Sequence, residues 1–302
     1  MGITHFPNGI SSFGNTIHGP GNQDISGNAF FVDTNVLASG RGRSWDEAYK
    51  TIAEGLAAAD TDIGLSANRA WAKRNTVYYC GDSISETLVL AAEKTDLIGV
   101  GSDGGSMPKV TGNFTIGTAV SSFRVINMGF VPTTTAPVIT FPAGMHGWEL
   151  HHVKLYKIEG VTNSAMLLST DSRDFTMKDT FIFEDARANK STIGFNIAGI
   201  TAGVGRSLIQ DCYISGTEAF NVVDTSAYFE GAICRNTIFN ATALCVDDDS
   251  DSWMFIDCRL ITEAAVGNSD GSGVVDWNTE LICGNMAHCS DSDGALPELD
   301  VA

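Results

Sequence analysis

The chain has 302 residues, 43% of them hydrophobic, enough to bury a core and too apolar for a disordered polymer. Its 36 Asp and Glu outnumber 18 Lys and Arg, for a formal net charge of −18. Displacing counterions from phosphates needs clustered cations, and Arg41 with Arg43 is the nearest approach to a cluster, so nucleic acid and anionic membrane are poor partners. No apolar run approaches the roughly 18 residues of a spanning helix, and no Lys or Arg precedes Arg41, which argues against a secretory leader with a positive start.

Residues 1–28 hold six Gly, four Asn and two Pro. Their apolar residues Ile3, Phe6, Ile10, Phe13 and Ile17 recur every three to four positions without a sustained helix or strand pattern. Such a segment cannot bury a core of its own, yet extended it reaches roughly 90 Å. We read it as an extended attachment arm that orders on a partner, with Ile3, Phe6, Pro7, Asn8, Gly9, Ile10 and Phe13 as the contacting residues.

Residues 29–75 read as a strand, Ala29 to Asp33, followed by an amphipathic helix. Ser44 with Glu47 three residues on has the form of a capping box. Trp45, Ala48, Tyr49, Ile52, Leu56 and Ala59 fall at helical spacing on one face, and Asp60 to Gly64 is the expected stop.

From residue 76 to about 290 short apolar runs alternate with Gly, Asn, Asp, Ser and Thr, and one six-residue pattern recurs: apolar, any, Asn or Asp, small or apolar, any, apolar. Its copies centre on Asn127, His152, Asp179, Asp211, Asn236, Asp257 and, more weakly, Asn285, spaced by 25, 27, 32, 25, 21 and 28 positions. Leu97 to Val100 is a partial earlier copy. One turn of a β-solenoid per repeat fits that spacing, whereas a propeller blade needs about twice the length. The fold class is therefore all-β, a right-handed parallel β-helix of seven or eight rungs, roughly 35–40 Å long. The Asn/Asp column belongs at a bend. Val125, Leu150, Met177, Ile209, Cys234, Phe255 and Cys283 form one internal ladder, and Phe130, Leu155, Ile182, Ile214, Phe239 and Leu260 another. The helix then caps the open end of the solenoid, and residues 291–302 form an acidic tail.

Seven cysteines without a CxxC pair argue against a disulfide framework or zinc ribbon. Cys212 shares a column with Cys258, and Cys234 with Cys283, so they read as small core hydrophobes that remain reduced.

Phe30-Phe31-Val32-Asp33, Gly40-Arg41-Gly42-Arg43-Ser44-Trp45, Ala48, Thr51-Ile52 and Ala57-Ala58-Ala59 resemble the opening of pectate-lyase-like β-helix proteins, over roughly residues 29–290. That superfamily spans lyases, hydrolases and inert structural proteins, so the resemblance speaks to fold. Phe6-Pro7-Asn8-Gly9-Ile10-Ser11-Ser12-Phe13-Gly14 resembles the start of virion structural proteins of tailed bacteriophages. The second resemblance implies a capsid decoration or cement protein on the virion surface, made in the host cytoplasm, trimeric, and bound to the major capsid protein of the head. Surface polysaccharide is a further possible partner, and no cofactor is expected.

The alternative is a tail spike or polysaccharide-degrading enzyme. Glycosidases need two carboxylates a short distance apart. Asp179 and Asp211 share the bend column on successive rungs, with His151, His152 and Arg173 near in register, yet the column as a whole reads as a structural bend. Asp247-Asp248-Asp249-Ser250-Asp251 imitates the first positions of a calcium loop, but Ser252 and Cys258 stand where that loop needs Gly and Glu, so a solvated turn is the expectation. Trp148, Trp253 and Trp277 are candidates for stacking on sugar, although the first two sit just before repeat cores. His5, His18, His146 and His288 show no ligand spacing.

Overall fold

The structure, a computed structural model, describes residues 10–12, 15–17, 27–65, 73–81, 83–91, 93–101, 107–117, 120–142, 145–156, 164–169, 172–183, 191–200, 206–224, 232–248, 253–262, 275–277 and 286–287. Three parallel ladders wind around one core. The first passes through Phe30, Val77, Leu97, Val125, Leu150, Met177, Ile209, Cys234, Phe255 and Met286, each opposite the next. The second runs from Ser83–Ser85 to Arg259–Thr262 and the third from Leu88–Leu90 to Val275–Trp277. The molecule is a parallel β-solenoid, as the repeat implies. Both internal ladders read from the sequence hold their register except at the last step, where Met286, not Cys283, stands opposite Phe255.

The first ladder has ten levels rather than seven or eight, about 43 Å at the spacing of paired strands. The extra levels are Ala29–Asp33 and Asn75–Cys80, which pair in parallel with each other. Neither carries the Asn/Asp bend motif, so the repeat spacing does not reveal them.

The bend column explains why the motif needs Asn or Asp. Asn127, His152, Asp179, Asp211, Asn236 and Asp257 all have φ between 47° and 55°, a left-handed backbone that short polar side chains tolerate by bonding locally. Asn127 Nδ2 donates to the carbonyls of Gly99 (2.9 Å) and Gly101 (3.0 Å) on the preceding rung. Asn127→Val should lower stability by about 2–3 kcal/mol through left-handed strain and lost hydrogen bonds, and Asn127→Gly by about 1 kcal/mol through the bonds alone. Denaturant melts of the two variants check this; equal losses would remove the strain argument.

A second left-handed column has no sequence motif. Lys94, Ser122, Gly147, Asp174 and Arg206 have φ of 51°, 55°, 66°, 58° and 55°, each three residues before a residue of the first internal ladder. Their side chains share no chemistry, so only the constant offset marks them.

The helix is displaced from its expected position. Trp45–Glu47 makes a single 3-10 turn, and the Ser44 side chain forms no cap bond. Tyr49 instead bridges Val32, accepting from Asp33 N and donating to Phe31 O, which pulls residues 48–50 into extended backbone. The α-helix is Ile52–Gly64, capped by a reciprocal Thr51–Glu54 box, so it ends at the last residue of the expected stop region. It buries Ile52, Gly55, Leu56, Ala59 and Ile63. Gly55 permits the close approach, since a Cβ there would lie 2.8 Å from Val32 Cγ2 and 2.9 Å from Val77 Cγ1. The Glu86 carboxylate accepts from Ile52 N (3.2 Å) and Ala53 N (3.0 Å), placing negative charge at the helix N-terminus and tying cap to solenoid. Burial pushes the Glu86 pKa up despite those two bonds.

Candidate functional site

Outward positions of the first ladder carry the densest ionic cluster among the described residues. Asp96, Arg124 and Glu149 stand opposite one another on successive rungs, each directly before an inward ladder residue. Strand alternation turns their side chains outward. Asp96 is only 3% exposed and lies between two guanidinium groups. Arg74 Nε donates to Oδ1 (2.9 Å) and Oδ2 (3.2 Å), while Arg124 Nε donates to Oδ1 (3.0 Å) and Nη2 to Oδ2 (2.6 Å). A carboxylate this buried is stable only when paired in this way. One rung on, His151 Nε2 lies 2.8 Å from Glu149 Oε2, both partly exposed on the same face two residues apart. The His151 hydrogen bond holds the Glu149 carboxyl below its ordinary range, with Arg124 and Arg74 assisting. Tyr78, opposite Ile98, has its phenol pKa raised by burial and then by the Asp96 charge.

Chemically, Asp96 is saturated by donors and Arg124 is clamped to it. The Glu149 carboxyl, held below its ordinary range, orients the His151 imidazole at the surface. Sequence reading missed Asp96, Arg124 and Glu149 because they are 25 to 28 residues apart; extending the repeat register one position outward would have found them.

The carboxylates expected to form a glycosidase pair are spent differently. Asp179 and Asp211 do occupy successive bends, but the Asp211 carboxylate accepts from Asn236 Nδ2 and Gln210 Nε2, each at 2.6 Å. Those bonds lower its pKa, the opposite of what a general acid requires. His151 turns onto the ladder face while His152 takes the bend. Arg173 pairs with His146 in a separate two-stranded ladder. In the acidic run, Asp247 stands opposite Asn221, whose Nδ2 lies 3.4 Å from its Oδ2; Asp249 to Asp251 lie outside the described residues. Among the described residues no three His, Cys, Asp or Glu gather as a metal site.

Trp148 and Trp253 are fully buried. They pack in an internal aromatic stack and have no face for sugar, while Trp277 is described only as backbone in Val275–Trp277. Of the arm residues, Ile3, Phe6, Pro7, Asn8, Gly9 and Phe13 lie outside the described residues, as do His5, His18, His288 and Cys283. Ile10 begins a strand, Ile10–Ser12, paired antiparallel with Asn15–Ile17.

Cys212, Cys234, Cys245 and Cys258 are buried thiols and Cys80 is half-buried. Burial pushes the Cys212 thiol from 9.0 up to about 12. In native protein at mildly alkaline pH, peptide mapping after thiol alkylation should find Cys80 modified well before these four; rapid labelling of all four would break the register. The folded state retains the Cys212 proton that the unfolded state releases, so its contribution to stability is intact below pH 9.0 and declines as pH rises toward 12.

No family model matches the chain, and no curated protein matches its sequence. Among solved structures, pectate lyase Pel9A is similar with a TM-score of 0.45 and 10% identity, over 87% of this chain and 76% of that one. PfbA, a surface adhesin of Streptococcus pneumoniae, is similar with a TM-score of 0.37 and 9% identity, over 86% of this chain and 82% of the adhesin. The class defined by the pairing of the strands is the parallel β-helix, and neither neighbour's activity transfers with a likeness at this level.

Proposed function

We propose that the chain is a non-catalytic structural protein of a phage virion, a homotrimeric decoration or cement protein on the capsid surface. Its N-terminal arm binds the major capsid protein of the head, and the β-solenoid projects as a rod. The observation that carries this reading is the separation of arm from rod. Ile10–Ser12 and Asn15–Ile17 pair in their own two-stranded sheet and not in the solenoid ladders, while the apolar and turn residues around them suit docking on another surface. The saturated Asp96 and the Asp211 bend carboxylate support a structural over a catalytic use of the acidic ladders.

A polysaccharide-degrading spike is the second reading, favoured by the Glu149–His151 pair on the outer face. Co-sedimentation of the purified chain with empty phage heads tests the first reading. Shortening of host envelope polysaccharide by the wild-type chain, lost in His151→Ala, would establish the second in its place.

A further inference from the structure

At the cap end, the outer face of the first ladder carries an apolar stripe. Phe31, Tyr78, Ile98 and Ile126 stand opposite one another on successive rungs. Each is half-buried and follows an inward residue, so its side chain faces outward. The stripe spans three strand spacings, about 14 Å. Phe31 stacks on Tyr78 at 5.7 Å, and Trp45, 39% exposed, meets Phe31 edge-on at 4.9 Å. Past Ile126 the same column turns polar, with His151 and then Lys178.

Trp45 belongs to a turn that presents both signs of charge. Gly42 O accepts from Phe31 N (2.8 Å), Gly42 N donates to Glu47 O (2.6 Å) and Gly40 N donates to Ala48 O (2.9 Å), fixing the turn against the first strand. Gly42 has φ of 67°, and a Cβ there would overlap the Tyr49 ring. Arg41, Arg43, Asp46 and Glu47 are all exposed. Among the described residues none of the four enters an ion pair or a side-chain hydrogen bond. The charged groups further along the face are spent within the chain instead, Asp96 on Arg74 and Arg124, and Glu149 on His151.

We infer that this stripe and turn are the surface through which copies of this chain associate side by side about a three-fold axis, Arg41 and Arg43 of one copy meeting Asp46 and Glu47 of the next. The argument is charge complementarity, with both halves of the contact on the same chain. At a net charge of −18, most pairings of two rods are repulsive. A turn that holds guanidinium and carboxylate groups without partners of their own offers an orientation that attracts. The stripe supplies apolar and aromatic area that charge alone does not, and a turn already fixed by backbone bonds costs little to order. Because the basic side of one copy faces the acidic side of another, the contact is heterologous and closes into a ring when the rotation allows. The inference rests on the homotrimer proposed above but not on the virion assignment.

The test is sedimentation equilibrium of the full chain, wild type against Arg41→Glu/Arg43→Glu, Asp46→Lys/Glu47→Lys and Ile126→Glu, with Lys109→Glu on the second ladder as control. Circular dichroism melts establish that each variant is folded. The wild type should form trimers at micromolar concentration, the three stripe and turn variants should associate about tenfold or more weakly, and the control should match the wild type. An equimolar mixture of the two charge variants should regain association, since each supplies the sign the other lacks. A monomeric wild type, a charge variant that associates normally, a mixture no better than its components, or a control weakened as much as the others would each overturn the inference. A wild type that stops at a dimer would overturn the three-fold arrangement. A monomer that binds phage heads and loses that binding in Arg41→Glu/Arg43→Glu would also overturn it, by making the turn a head-docking surface. Head co-sedimentation of the wild type is scored separately: heads left unbound by a chain that forms trimers would sink the virion reading and leave this one standing.

Discussion

Removing residues 1–26 should lower binding to phage heads by at least about 100-fold, the size of a lost multivalent attachment, and leave the solenoid folded. The arm brings Ile3, Phe6, Ile10, Phe13 and Ile17, and burying a Phe stabilises by roughly 1.5–3 kcal/mol. Ordering the backbone costs about 1–2 kcal/mol per residue, so these anchors alone cannot hold the whole segment. The hairpin in which Ile10 stands opposite Ile17 does part of that ordering within the arm, and pairing with a strand edge of the capsid protein would supply more. On the proposed trimer, three arms would multiply a weak single attachment. The cut belongs at residue 26 rather than 28, since Asn28 is already part of the cap: its N donates to Asn75 Oδ1 and its Nδ2 to Asp62 Oδ1, both at 2.9 Å. Gly27 backs directly onto the Arg74 carbonyl with no room for a Cβ. Co-sedimentation with heads, alongside a thermal melt, gives the answer. Unchanged binding by the truncated chain would move the docking surface onto the solenoid.

Trp148→Ala should destabilise the protein by about 3–5 kcal/mol, the range for deleting a fully buried large aromatic. That is a large fraction of the 5–15 kcal/mol typical of a whole domain. Trp148 stacks on Phe141 at 4.5 Å and on Phe175 at 4.4 Å, with Phe123 at 6.5 Å, and all four are fully buried. Phe123, Trp148 and Phe175 each sit two residues before an inward residue of the first ladder, so the stack runs along the rod axis and couples consecutive rungs. In a solenoid, stability is the sum of rung and neighbour terms, and a hole at a middle level weakens the coupling to both sides. Denaturant unfolding of Trp148→Ala should therefore show a lower midpoint and a shallower transition. Trp45, 39% exposed at the cap, is the control, and Trp45→Ala should cost less than about 1 kcal/mol. Equal losses at the two positions would contradict the buried stack.

The sequence by itself determined the solenoid, its first two internal ladders and the bend between them. The physical reason is local and repeated. A left-handed bend accepts Asn or Asp because their side chains bond to nearby backbone, and the flanking apolar residues must alternate inward, so each rung carries the same short signature. The burial of Cys212, Cys234 and Cys258 followed from that register. Where the signature is missing, at Ala29–Asp33 and Asn75–Cys80, only the folded chain reveals that these strands are rungs.

Tertiary structure alone decided the rest. Ser44 and Glu47 have the form of a cap, but strand pairing by Tyr49 competes for the same residues and wins, so the helix begins at the Thr51–Glu54 box. The second left-handed column has no common side chain because its geometry is imposed by neighbouring rungs. The Arg74–Asp96–Arg124 cluster, the Lys109 Nζ contact with the Tyr156 ring and the Lys154 Nζ contact with the Phe181 ring join residues 22 to 47 positions apart, brought together by winding. A sequence pattern records what each turn needs locally, whereas a surface on the rod is made by residues that become neighbours only after the turns are stacked.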